Sequence, residues 1–100
     1  MTYNPIDAIG HEQLTVSTTA VGLTPPTGLR PRHALISIQT NAIRWRADGT
    51  DPTASIGIPK AAATEIDLTD PMGDYAGFLS KAKFIRSGGA DATLDIQYFS

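Results

Sequence analysis

The sequence predicts an all-β domain, either an antiparallel β-sandwich or a jelly-roll-like barrel of about seven strands. Short runs of alternating apolar and polar residues are typical of half-buried strands, and Pro and Gly clusters separate these runs along the chain. A length of 100 residues suits one domain with a single core. We therefore predict one sandwich domain over residues 12–100. Residues 1–11 lack a clear pattern and are interpreted as an extended N-terminal arm.

A first strand is predicted at the start of the domain. Residues 12–18 alternate, so that Leu14 and Val16 fall on one face. Residues 24–31 contain three prolines and one glycine, and proline has no N–H to donate to a β-ladder. This stretch is interpreted as a long loop or, at most, an edge strand.

The apolar positions of residues 34–47 change phase half-way along the segment. Ile36 and Ile38 occupy even positions, whereas Ile43 and Trp45 occupy odd ones. One continuous strand would present these side chains on both faces. A tight turn or a slightly longer loop between the halves gives a hairpin instead, with Ile38 opposite Ile43 and Ile36 opposite Trp45.

Three segments complete the middle of the chain. Residues 54–58 are predicted to form a short apolar strand, which the following proline closes. Residues 64–68 alternate and place Ile66 and Leu68 on the same face. Residues 70–79 begin as a turn cluster and continue as a single helical turn.

The C-terminal segment is also interpreted as a hairpin. With residues 87–91 as the loop, Phe84 lies opposite Leu94 on the inner side. The outer side then pairs Lys83 with Asp95, which are opposite charges directly across the ladder. The apolar register and the charge register therefore agree on the same pairing.

Composition excludes several classes of chemistry. A net charge of −2 provides no general attraction to nucleic acid or to an anionic membrane, and no apolar run approaches the about 20 residues of a membrane helix. Without cysteine there is no disulfide, no thiol nucleophile and no Cys-ligated zinc. The two histidines, His11 and His33, are not part of an acid–nucleophile motif in the sequence. We therefore expect a non-enzymatic protein without a catalytic, cofactor or metal site.

The most distinctive local pattern is Arg44-Trp45-Arg46. On a strand the two arginines share one face and the tryptophan points to the other. A platform for nucleic-acid bases needs an exposed aromatic within a basic groove, so this geometry favours a core tryptophan. Arg44 and Arg46 are then candidates for a partner interface, where arginine is enriched.

Several stretches resemble a group of small tailed-phage structural proteins. They lie at residues 34–36, 43–50, 52–57, 84–94 and 97–99. The resemblance implies a β-sandwich used as a capsid decoration or cement protein, or less often as a head-completion or tail component. It also implies localisation in the virion after assembly in the host cytoplasm, and no catalytic residues.

The resemblance and the residues together lead to an expected function. The chain is expected to form a homo-oligomer and to contact the major capsid protein or another virion protein. Tyr3 and Ile6 in the arm, together with Arg44 and Arg46, are the predicted partner contacts. Three other functions stay open. One is a carbohydrate- or receptor-binding module, for which Tyr3, Tyr75 and Phe78 are the candidate loop aromatics. The others are a small hydrolase with a carboxylate pair and a nucleic-acid-binding protein, which the charge balance disfavours.

Overall fold

The structure, a computed structural model, describes residues 8–25, 31–69 and 79–99. It is all-β, and the described residues contain no helix. Eight strands form two antiparallel four-stranded sheets, one strand more than the sequence predicts. The strands are β1 (Ala8–Val16), β2 (Val21–Gly22), β3 (His33–Thr40), β4 (Ile43–Arg46), β5 (Ile58–Lys60), β6 (Glu65–Thr69), β7 (Lys83–Arg86) and β8 (Ala92–Phe99).

The strand order identifies the topology. Sheet A has the order β1-β8-β3-β6 and sheet B has the order β2-β7-β4-β5. Strand pairs therefore join the first strand to the eighth, the second to the seventh, the third to the sixth and the fourth to the fifth. This is the arrangement of a long hairpin rolled into two packed sheets, which is the double-sheet jelly roll. The predicted fold class is confirmed.

The predicted hairpin over residues 34–47 is wrong in its pairing. Strand β3 pairs with β6 and β8 in sheet A, whereas β4 pairs with β5 and β7 in sheet B. The chain crosses between the sheets at Asn41, whose φ of 57° an asparagine tolerates. Ile38 and Ile43 both point inward, but from opposite sheets. A crossover and a hairpin produce the same apolar phase change, so the sequence pattern does not separate them.

The predicted C-terminal hairpin is wrong for the same reason. Strand β7 lies in sheet B and β8 in sheet A, so the two strands face each other across the core. The predicted pair of Lys83 with Asp95 does not form. Lys83 lies opposite Arg46, and Asp95 lies opposite Ser37.

The core lies between the two sheets. Of the four residues expected at its centre, Ile36, Phe84 and Leu94 have no exposed surface. Trp45 is only partly buried and packs on Phe84 with 6.5 Å between ring centroids. The other core members are Val16, Leu23, Ala34, Ile38, Ile43, Ile66, Leu68, Leu79, Ala82, Ala92, Ile96 and Tyr98. Most of these residues occupy alternate strand positions, which confirms the inward faces predicted for residues 12–18 and 64–68.

The short apolar strand predicted at residues 54–58 is wrong. Strand β5 begins at Ile58, and residues 54–57 form bends before it. Ile56 and Ile58 are 58% and 54% exposed instead of contributing to the core. An apolar run followed by proline is typical of an edge strand, and β5 is the edge of sheet B.

Some predicted features lie outside the described residues. They are the turn cluster at 70–74, most of the helical turn that follows it, and residues 1–7 of the N-terminal arm. Residues 8–11 of that arm belong to β1 and pair with the end of β8. The Gln97 side chain donates to the Gly10 carbonyl at 2.7 Å across this pair.

Candidate interaction surfaces

Strand β4 positions the two arginines that the sequence selects. Ile43 and Trp45 point into the sandwich, so Arg44 and Arg46 point outward from sheet B. The remaining predicted contacts, Tyr3 and Ile6, lie outside the described residues.

Arg44 fixes the loop between β4 and β5 against the outer face of sheet B. Its Nε donates to the Ala54 carbonyl at 3.1 Å, and its Nη1 donates to the Gly57 carbonyl at 2.9 Å. The loop is also closed on itself, because the N–H groups of Thr53 and Ile56 each donate to the other residue's carbonyl at 2.8 and 3.3 Å. Two of the five N–H donors of Arg44 are thus used within the chain.

Arg46 forms a two-point ion pair with Asp48. Its Nε lies 3.1 Å from Asp48 Oδ1, and its Nη2 lies 2.5 Å from Oδ2. The hydrogen bond from Arg46 lowers the pKa of the Asp48 carboxyl, and the Thr50 N–H contributes to the same shift. The same pair raises the pKa of Arg46. Both side chains are exposed to water, which screens the pair, so it orients Arg46 more than it stabilises the fold.

An isoleucine patch lies beside this ion pair. We define the patch as Ile56, Ile58 and Ala47. Ile56 and Ile58 are the large apolar side chains of the described residues that remain exposed. With Arg46, Asp48 and Gly57 the patch lines a shallow cavity of about 470 Å³. An exposed apolar patch rimmed by charge is typical of a protein interaction site.

The free edge of β5 cannot pair well with another strand. Pro59 lies opposite Arg44 in the ladder and has no N–H, so these two residues form a non-hydrogen-bonded pair. In an antiparallel ladder such a residue directs its backbone nitrogen and carbonyl toward the other side of the strand. The free edge of β5 therefore presents a proline without a donor, which hinders strand addition. A partner at this edge contacts side chains.

A second cavity, the threonine groove, lies between two loops over sheet B. It has a volume of about 550 Å³, and its lining includes Thr18, Thr19 and Thr53 together with Ile85, which is buried. Arg86 also lines the groove and is paired with Asp91 at 2.7 Å. The full lining is Thr18, Thr19, Ala20, Asp51, Pro52, Thr53, Ala54, Ile85, Arg86 and Gly88. Sequence reasoning missed this groove, because its walls come from loops that are distant in sequence.

A polar network closes one side of the sandwich. The Glu12 carboxylate accepts hydrogen bonds from the Tyr98 hydroxyl and from the backbone N–H of Thr24, the latter at 2.8 Å. The Thr24 hydroxyl donates to the same carboxylate. Glu12 thus links β1, β8 and the segment after β2. The sequence gives one sign of this role: Glu12 occupies the same face of the alternating strand as Leu14 and Val16.

Both histidines lie on the outer face of sheet A, each beside a carboxylate. His33 contacts Asp67 and stacks on Phe99 with 5.0 Å between ring centroids. His11 lies 3.6 Å from Asp95. These neighbours are distant in sequence, which explains why the linear pattern shows no partner. Across residues 8–25, 31–69 and 79–99, no three His, Asp or Glu side chains are grouped to hold a metal ion.

No helix among the described residues is long and apolar enough to cross a membrane.

The comparisons with known proteins provide no relative. No protein-family model matches the chain, and no curated protein or solved structure matches it.

Proposed function

We propose that this chain is a non-enzymatic structural protein of a bacteriophage virion. In this proposal it is a capsid decoration or cement protein that forms homo-oligomers and docks on the capsid lattice. The observation that carries the proposal is the exposed pair Ile56 and Ile58 beside an edge where Pro59 hinders strand addition. Such a surface binds by burying side chains against another protein.

The physical basis of docking is modest burial repeated many times. Burying one isoleucine side chain contributes about 1.5–3 kcal/mol relative to leaving it exposed. Much of that gain offsets the loss of freedom on association, so one patch alone gives weak binding. When several copies are linked in an oligomer, each later contact becomes intramolecular, which raises the overall affinity. A small domain on a symmetric lattice gains from this effect.

Two further observations support the proposal. The stretches that resemble small tailed-phage structural proteins include residues 43–50 and 52–57, which contain Ala47 and Ile56 of the isoleucine patch. The jelly-roll topology occurs in viral capsid proteins, and also in lectins and cupins. The fold is compatible with all three, so the patch and the resemblance favour the virion.

The isoleucine patch can be tested with the double variant Ile56→Ser and Ile58→Ser. We expect its binding to particles of the encoding virus, measured by co-sedimentation, to fall at least about tenfold. Its unfolding free energy should change by less than about 0.5 kcal/mol, because both side chains are exposed. Thr15→Ser, an exposed change on strand β1 of the other sheet, is the matched control and should bind normally.

Two outcomes would contradict the proposal. Mass spectrometry of purified particles that finds no copy of this chain would remove the virion assignment. Unchanged binding by the double variant would show that the isoleucine patch is not the docking contact. Electron microscopy of labelled particles separates the locations, since a label on the neck or tail favours a head-completion or tail component.

The threonine groove favours a second candidate function, a carbohydrate- or receptor-binding module. Threonines beside a buried isoleucine and an arginine suit a sugar in polarity, and about 550 Å³ is within the range of ligand sites. If this function holds, Thr18→Val with Thr53→Val should abolish binding on a glycan array while Thr15→Ser retains it. A wild-type chain that binds no glycan would dismiss this candidate. The aromatic residues proposed from the sequence for this role, Tyr3, Tyr75 and Phe78, lie outside the described residues.

A further inference from the structure

Charge is divided between the two sheets. The strands of sheet B contain five of the chain's eight Lys and Arg residues and no Asp or Glu. The strands of sheet A contain four of its ten Asp and Glu residues and no Lys or Arg. The division becomes visible only after the strands are assigned to sheets.

The outer face of sheet A is acidic. Ile36 is fully buried, so its neighbours in β3 and the residues opposite them point outward. Asp67 lies opposite Leu35, and Glu65 and Asp95 flank Ser37 from the two neighbouring strands. We call this surface, with the carboxylates of Glu65, Asp67 and Asp95, the acidic face. Within the part of the chain that the structure describes, Glu65 has no partner for its charge.

The outer face of sheet B is basic. Arg44 also points outward but holds the β4–β5 loop against the sheet, so we define the basic face by Arg46 and Lys83, which point outward from adjacent strands. Arg46 and Lys83 lie directly opposite each other, and like charges in this position are destabilising. Asp48 partly neutralises Arg46, whereas Lys83 has no acidic partner among the described residues.

We propose that the acidic face of one copy packs on the basic face of a second copy. This inference deepens the proposed function and rests on its homo-oligomer. The occupant follows from charge complementarity, because the chain itself provides the opposite charge for each face. Packing two acidic faces or two basic faces together would bring like charges into contact.

The contact is heterologous, since each copy contributes a different surface. A heterologous contact leaves one free face at each end of a dimer, so association continues until a ring closes or a filament grows. Electrostatic complementarity also fixes which faces meet and raises the association rate. The expected assembly therefore contains more than two copies.

Reciprocal charge reversal tests the contact. One variant reverses the acidic face with Glu65→Lys and Asp67→Lys, and another reverses the basic face with Arg46→Glu and Lys83→Glu. We expect the wild-type chain to sediment as an oligomer and each variant alone to sediment near the monomer mass of 10.6 kDa. An equimolar mixture of the two variants should regain the oligomer, because every contact then joins opposite charges. The fourfold variant with both reversals should also assemble alone.

The equimolar mixture and the fourfold variant distinguish the loss of this contact from a folding defect. A misfolded variant would not recover in the mixture, and circular dichroism checks each fold directly. Salt provides a further measurement, since about 1 M NaCl shortens the screening length to about 3 Å and should weaken wild-type assembly. A monomeric wild-type chain, or single-face variants that keep the wild-type mass, would overturn the inference. Particles that still contain the chain would then leave the virion assignment standing without its homo-oligomer.

Discussion

Phe84→Ala is expected to remove most of the stability of the domain. Phe84 has no exposed surface and stacks on Trp45 between the two sheets. Truncating a buried phenylalanine costs about 3–5 kcal/mol, because transfer free energy is lost and a cavity remains. The unfolding free energy of a domain of this size is about 5–15 kcal/mol, so the loss is a large fraction of the total. Urea unfolding followed by tryptophan fluorescence measures it.

Two further variants provide a comparison for the stability lost in Phe84→Ala. Phe84→Leu keeps most of the apolar volume and should lose clearly less stability than Phe84→Ala. Ile58→Ala truncates an apolar side chain at a position that is 54% exposed, and should cost less than about 0.5 kcal/mol. If Phe84→Ala and Ile58→Ala were equally mild, the two sheets would not pack around Phe84 as described.

Gly57→Ala is expected to have the largest effect among the described loop positions. Gly57 has a φ of +137°, a conformation that residues with a side chain rarely adopt. A strained backbone of this kind costs about 1–3 kcal/mol. An added Cβ would also lie 3.1 Å from Pro52 Cβ, 3.2 Å from Arg44 Cβ and 3.3 Å from the Trp45 carbonyl oxygen. The neighbours of Gly57 must therefore shift by a few tenths of an ångström, which strains the loop at the carbonyl that accepts a hydrogen bond from Arg44.

Two other glycines separate the cost of a positive φ from the cost of close contacts with an added Cβ. Gly49 has a φ of +87° but open space around it, so Gly49→Ala measures the backbone cost alone. Gly88 has open space and no positive φ, so Gly88→Ala should be close to neutral. The expected order of lost unfolding free energy is Gly57, Gly49, Gly88. Equal losses at Gly57 and Gly49 would mean that the close approach of the loop contributes nothing. Hydrogen exchange at Ile56, whose N–H bonds within the loop, should also accelerate in Gly57→Ala.

The sequence predicts which side chains point inward but not which strands are neighbours. Alternation in residues 64–68 places Ile66 and Leu68 in the core, as the structure confirms. A period of two reports the face of a strand, and it contains no information about the strand on either side. Both predicted hairpins failed for this reason, since Ile38 and Ile43 point inward equally well from opposing sheets.

The candidate surfaces were predictable only in part. Arg44 and Arg46 stand out as a local pattern, and their outward direction follows from strand alternation. Ile56 and Ile58 look like core residues in sequence, and only Pro59 signals an edge strand. The acidic and basic faces combine residues from strands that are far apart along the chain, so no local window contains them. The threonine groove has the same origin.

The pairing of β1 with β8 has a consequence for biosynthesis. Residues 8–16 emerge from the ribosome long before residues 92–99, which provide their ladder partners. During that interval β1 exposes an unpaired backbone on both sides, and such an edge is prone to associate with other chains. A topology dominated by contacts between distant residues also folds slowly, on a timescale of about milliseconds to seconds. Nascent chains that stop before residue 92 should therefore bind chaperones. The domain should reach its native state only after residues 92–99 have emerged and paired with β1.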